Sequence, residues 1–244
     1  MRRYLWALFL SATLGWGGEW SYRVYSPILG TLGTIDVKRT QSTGRYRVDI
    51  RARTRGVAAL LTGKRRESYR SKGVVRGGRY LSRNFRVQRQ MKSKRQIDTY
   101  RVDVAARKVF KRKLRWKKGR LDRNSSKTLP YFTREDLVAL YHNRVPPLLK
   151  SPPGTRWRGY AVGAEKIKGI VTVSRADEAT ERKERRRLGV GREATILIVS
   201  TPEKLLGKRN RRLIMAIDPE GALLKARLVA LPVVGEIFVE RVMR

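Results

Sequence analysis

The chain has 244 residues, 41% of them hydrophobic, which is enough to bury a core of its own and excludes a disordered basic tail. Lys and Arg total 58 against 20 Asp and Glu, a formal net charge of +38 that points to polyanionic partners: nucleic acid, anionic lipid or lipopolysaccharide. Cysteine is absent, which excludes disulfides, thiolate metal sites, a cysteine nucleophile and a lipid-modified cysteine anchor.

The chain opens "MRRYLWALFLSATLGWGGEW". Two arginines, an apolar run over 4–16 and small residues at Gly15, Gly17 and Gly18 have the layout of a secretory signal. The run is about 13 residues, short of the ~20 that span a bilayer as a helix. The expected organisation is a signal peptide over 1–19 and a single β-rich domain over 20–244. Export places the protein in the periplasm, where the phosphate-rich surface it meets is lipid headgroups. Each Lys or Arg near such a surface contributes about 1 kcal/mol.

Strand patterns follow. Residues 19–25 put Trp20, Tyr22 and Val24 on one face, and 29–39 carry Gly30 and Gly33 where a turn, a bulge or a close backbone approach is expected. "GRYRVDIRARTR" over 44–55 alternates Tyr46, Val48, Ile50 and Ala52 with Arg45, Arg47, Asp49, Arg51 and Arg53. A period of two gives a strand with one apolar face and one wet, cationic face. "GVAALLTG" over 56–63 reads as a short helical turn or a loop, and 65–90 as two strands joined at Gly77-Gly78. Over 98–120 a hairpin is expected, with Tyr100, Val102, Val104, Phe110, Leu114 and Trp116 on a shared apolar face and Lys111, Lys113, Arg115 and Lys117 turned outward.

One helix stands out at about 134–144, in "TREDLVALYHNR". Thr133 reads as its N-cap, Glu135 and Asp136 as first-turn anions, and Pro146-Pro147 as its stop. "KSPPGTR" marks an internal joint near 146–155. Strands resume at 157–162, 166–174, 194–201, 211–218, 223–230 and 235–242. The continuous apolar run 196–199 reads as a central strand covered on both faces. Residues 177–189, "DEATERKERRRLG", hold helical i,i+4 pairs but fit a hairpin slightly better, given the "GVGRE" that follows. The fold class is mainly β: a long antiparallel meander, strongly curved or barrel-like, with one short helix packed against it.

Chemical signatures are sparse. Gly56 and Gly63 stand six residues apart where a phosphate loop needs four, and Lys64 is followed by Arg65 rather than Ser or Thr. His142 is the single histidine, which rules out a multi-histidine metal site, and its place reads as helix-terminal or surface. No catalytic, cofactor or metal residues are nominated, and the reading is non-enzymatic. The candidate anionic-surface contacts are Arg45, Arg47, Arg51, Arg53, Lys111, Lys113, Arg115 and Lys117. A single-strand binder places stacking aromatics and cations on one exposed face. The expected parity of 110–117 separates them, so a cytoplasmic nucleic-acid-binding role stands as the alternative.

The succession of a signal, "YRVYSPILGTLGT", "YRVDIRARTRG", "DTYRVDV", the helix "TREDLVALYHNR", and "NRRLIMAIDPEG" leading to "ALLKARLVALPVVGEIFVERV" resembles the exported bacterial proteins of the domain of unknown function 3108 family. The resemblance implies an envelope protein of antiparallel strands with no catalytic residues to transfer. An apolar or amphipathic ligand held within the curve is the accompanying expectation.

Overall fold

The computed structural model describes residues 17–164, 169–200, 212–231 and 235–242. Of the expected signal segment over 1–19, residues 1–16 lie outside the described residues, as do positions 166–168, 201 and 211 of the expected strands. Positions 17–19 open the first strand.

Fourteen strands form one sheet among the described residues, paired antiparallel throughout. The first half is a meander of β1 (Gly17–Ser26), β2 (Gly30–Ser42), β3 (Arg45–Thr54), β4 (Arg66–Arg76), β5 (Arg79–Met91), β6 (Lys94–Asp103), β7 (Lys108–Lys117) and β8 (Arg120–Thr128). A helix, α1 (Gly56–Thr62), interrupts it between β3 and β4. After α2 (Leu137–Leu149) a second meander runs through β9 (Arg156–Tyr160), β10 (Ile170–Arg175), α3 (Glu178–Leu188), β11 (Thr195–Ser200), β12 (Arg212–Ile217), β13 (Leu223–Leu231) and β14 (Gly235–Val242). β1 pairs with β14, so the two meanders form one surface with β8 and β9 at its ends.

Local chemistry sets the hairpins. Gly77 and Gly78 both adopt positive φ, which a two-residue turn with the right twist requires. At Gly33 the carbonyl oxygen of Arg53 lies 2.3 Å from where a Cβ would stand, so β2 and β3 meet at a point only glycine permits.

The inner face carries Tyr22, Ile35, Ile50, Tyr69, Val87 and Tyr100 from the first half, and Val173, Leu197, Met215 and Leu228 from the second, in one apolar cluster. α2 lies against this face, touching β5 and β10. Its Leu137, Val138, Leu140, Tyr141, Val145 and Leu148 are buried. The outer face of β3–β5 is cationic and the interior apolar, the reverse of a barrel that spans a membrane. No helix among the described residues is long and apolar enough to cross a bilayer.

The helices depart from the sequence reading in two ways. α2 starts at Leu137, with Asp136 as its N-cap, and runs to Leu149 through Pro146 and Pro147. Thr133 is spent elsewhere: its hydroxyl donates to the Tyr160 carbonyl and accepts from the Glu135 N–H. The prolines leave two carbonyls without helical donors, but Val145 and Leu148, buried on either side, hold the turn in place. Residues 177–189 form α3, not a hairpin. Asp177 caps it, Glu181 and Arg185 pair at i,i+4, and Gly189 ends it in the left-handed conformation.

α3 covers the outer face of β11–β13, where Leu188, Ala194, Ile196, Ile214 and Ala216 form a second apolar cluster. Ile196 and Leu197 are therefore buried on opposite faces, as the continuous apolar run implies. Arg227 of β13, 3% exposed, anchors the helix: its Nε and Nη2 donate to Glu184 at 2.7 and 2.6 Å, and its Nη1 to Glu236 at 2.8 Å. Removing one member strands a buried charge. Glu184→Ala is expected to lower stability in urea denaturation by about 3–5 kcal/mol, whereas Glu184→Leu combined with Arg227→Met stays close to wild type. Equal losses in both would refute this account of the pair.

Candidate functional site

The interior is organised around Asp136. One carboxylate oxygen, Oδ2, accepts the hydroxyls of Ser71 on β4 and Ser82 on β5, at 2.6 and 2.7 Å. The other, Oδ1, accepts the N–H groups of Val138 and Ala139, at 2.8 and 2.9 Å. Ser71 gives its proton to Asp136, so the Tyr46 hydroxyl, 2.9 Å away, donates to Ser71. Burial pushes the Asp136 carboxyl above its usual range, and these four bonds pull back against it. Asp136, Ser71 and Ser82 are all at most 1% exposed, so the cluster is closed to solvent. Its chemistry is that of a latch.

Neighbouring residues extend the latch. Asn143 accepts the Tyr80 N–H at 2.7 Å and donates to the Tyr80 carbonyl at 2.9 Å. Glu135 gathers donors from Arg79, Asn143 and Arg144 at 2.8–3.0 Å. β6 pairs with β5 only from Asn84 onward. Below that point the Ser82 N–H donates to the Arg134 carbonyl at 2.7 Å, and the Val162 N–H to the Glu135 carbonyl at 2.9 Å. Residues 134–137 thus bridge β5 and the segment that follows β9. The strands β6–β8 run past this bridge as a wing.

His142 is neither surface nor helix-terminal. It lies within α2, its ring stacked on Tyr80 at 3.6 Å, and Tyr80 stacks on Tyr46 at 4.0 Å. Its Nδ1 is buried and accepts no hydrogen bond. Nothing in the spacing of the helix signals this stack.

The candidate surface contacts divide between two faces. Arg45, Arg47, Arg51 and Arg53 lie on the outer face of β3 and are exposed, in the parity the sequence implies. The next strands continue the patch: Arg53 faces Arg66, Arg47 faces Lys72, and Arg70 faces Arg86. Within β3–β5, Asp49 is the one carboxylate on this face, and Arg47 and Arg70 both pair with it. Burial pushes the Asp49 carboxyl up, but the two guanidinium hydrogen bonds outweigh burial and hold it below the usual range. A groove on the same face, lined by Asp36, Lys38, Thr40, Arg47 and Arg51, crosses β1–β3.

Lys111, Lys113, Arg115 and Lys117 are on the other face. Val109 pairs with inward Val102 and Lys111 with inward Tyr100, so this row continues the inner face, and Phe110, Leu114 and Trp116 point outward. The four-residue turn over 104–107 sets the register in which Val109, not Phe110, continues the apolar row. Arg101 covers the Phe110 ring at 4.7 Å and Arg95 the Trp116 ring at 5.4 Å. Below the inner row lies a buried polar network: Arg65 pairs with Glu67, and Arg89 and Lys111 flank Asp98 at 2.8 and 3.8 Å. The alternation of strand residues gave no sign of this network, because its charges occupy apolar parity.

No family model and no curated protein matches the chain. Among solved structures it is similar to a β-barrel-like protein of the domain of unknown function 1849 from Brucella abortus, with a TM-score of 0.55 over 95% of this chain and 97% of that one. The shared fold is β-barrel-like. At 10% identity the likeness concerns fold alone.

The His142 stack carries a pH dependence. Burial, then the nearby Arg39 charge, pushes its imidazole from 6.5 down to about 4, against a hydrogen bond to the Gly78 backbone. The folded state prefers the neutral ring, so the unfolded chain takes up the proton first. The contribution is intact above about pH 6.5, is lost as pH falls toward about 4, and is level below. Urea denaturation at pH 7 and pH 4 should show wild type losing up to roughly 3 kcal/mol more than His142→Phe. Parallel losses would show that the ring does not titrate in this way.

Proposed function

We propose that this protein is an exported, non-enzymatic barrel of the bacterial envelope that rests its arginine-rich outer face on anionic lipid headgroups or lipopolysaccharide. The observation that carries the reading is the outer face of β3–β5, where Arg45, Arg47, Arg51, Arg53, Arg70 and Arg86 stand with Asp49 as the one carboxylate of these strands and Asp36 of β2 opposite Arg51. Such a field is attracted to a surface of closely spaced phosphates. Kinship with the domain of unknown function 3108 family, and the signal over 1–19, are part of the same proposal. α2 occupies the inner face against which an apolar ligand would pack, so the reading needs no such ligand.

A second reading has one observation in its favour. Phe110 and Trp116 share the outer face of the wing with Arg95, Arg101 and Arg112, the arrangement that single-strand nucleic-acid binding uses. It requires the N-terminal segment to be retained in the cytosol.

Vesicle co-sedimentation separates the two. Vesicles containing phosphatidylglycerol are expected to bind the protein at low salt and release it as salt rises, while phosphatidylcholine vesicles do not bind. Arg45→Gln, Arg51→Gln and Arg53→Gln together remove about 3 kcal/mol, roughly 100-fold in affinity. N-terminal sequencing of periplasmic protein is expected to begin near residue 20. An intact Met1 in the cytosol, together with oligonucleotide binding lost in Phe110→Ala/Trp116→Ala, would replace this reading with the second.

A further inference from the structure

The inner face of the wing holds an arrangement that folding alone does not favour. Across β7 and β8, Lys111 lies directly opposite Lys127, Arg115 opposite Arg123 and Lys117 opposite Arg120. On the other side of β7, Lys117 lies opposite Lys94. Like charges directly opposed in an antiparallel pair destabilise it. Two carboxylates stand nearby. Asp98 is buried and shared between Arg89 and Lys111, and Asp122 pairs with Arg115. Arg123, Lys127 and Lys117 are exposed. The register sets the geometry: along β7 cations repeat every second residue, about 6.8 Å, while β8 offers Lys127, then Ser125 opposite Lys113, then Arg123 and, past a bulge at Asp122, Arg120, the paired residues facing each other across about 4.8 Å. The result is a row of cations on β7 faced by three on β8; the Arg115 fork is turned to Asp122, and the exposed Arg123 guanidinium suits phosphate oxygens.

We propose that the inner face of β7 and β8 is a binding site for a small, multiply phosphorylated anion, with two or more phosphates on one molecule. One phosphate between Arg115 and Arg123 and the next between Lys117 and Arg120 would each sit over a pair of opposed cations and relieve their repulsion. Free oligophosphate and the phosphorylated headgroup of a lipid present the same chemistry. The site is on the face opposite the arginine row of β3, and it stands whether or not that row touches a membrane.

Isothermal titration calorimetry with sodium tripolyphosphate at low salt tests it in solution, with inorganic phosphate as the monovalent comparison. Tripolyphosphate is expected to bind at least tenfold more tightly than phosphate. Arg115→Gln, Lys117→Gln and Arg123→Gln together should weaken it at least tenfold, and the Arg45/Arg51/Arg53 variant should leave it unchanged. The wing variant loses like-charge contacts, so its Tm without ligand should equal or exceed that of wild type, which separates lost binding from lost folding. Absence of binding to wild type, an equal loss in both variants, or a wing variant that melts lower would each overturn the proposal. Micelles of a bis-phosphorylated glycolipid, competed against tripolyphosphate, identify the source: displacement assigns the site to a headgroup, and its failure to a free anion. Tighter binding of oligo(dT) that depends on Phe110 and Trp116 would assign the wing to nucleic acid instead.

Discussion

The helix inside this barrel is held to the sheet by one buried carboxylate. Asp136 ends an extended segment, begins a helix, and receives hydroxyls from two neighbouring strands at once. A lone carboxylate in such a place would be expelled or neutralised. Four donors make it tenable, and they come from three pieces of the chain: β4, β5 and the first turn of α2. Ser71 and Ser82 fix the helix to the first meander. The Glu135 carbonyl and the Leu137 N–H, both bonded to Val162, fix the same segment to the second. Because this joint holds α2 against the inner face, the sheet curves around its own helix. The side chains that fill the curve belong to the protein.

Much of this could be read from the sequence. Alternation located the strands from β1 to β7 and from β9 to β14, and the paired glycines located the turn between β4 and β5. The parity of Arg45 to Arg53 gave the outer face of β3 correctly. The failures share a cause: local pattern cannot reveal what a residue's partner across space will be. Thr133 looks like a cap until Tyr160 takes its hydroxyl. Asp136 looks like a first-turn anion until two serines 54 and 65 residues away converge on it. The 177–189 segment has mean character too polar for a buried face, yet Glu181 and Glu184 are buried there because Arg175, Arg185 and Arg227 meet them.

The wing shows the same limit in sharper form. A single extra residue in the turn after β6 exchanges the two faces of β7, because side chains repeat every second position. Lys111 can occupy an inward position because Asp98 lies beneath it and the Tyr100 ring beside it, with Nζ 4.9 Å from the ring centroid. Farther along the strand the apolar core ends, and the inward row becomes an open cationic surface. Among the described residues, basic side chains of the first meander therefore lie on both sides of the sheet. Net charge alone says nothing of that division. The two faces differ in chemistry as well: a broad field of arginine around Asp49 and Asp36 outside, and a narrow run of opposed cations inside.

α2 is an integral filling of the barrel, latched by Asp136. Native-state hydrogen exchange measures this directly. The amides of 140–145 in α2 should exchange with the same free energy as those of β3 and β4, since the helix can leave only when the barrel opens. Fast exchange of the helix while the strands stay protected would contradict the account, for it would mean that α2 departs by itself and leaves a cavity behind.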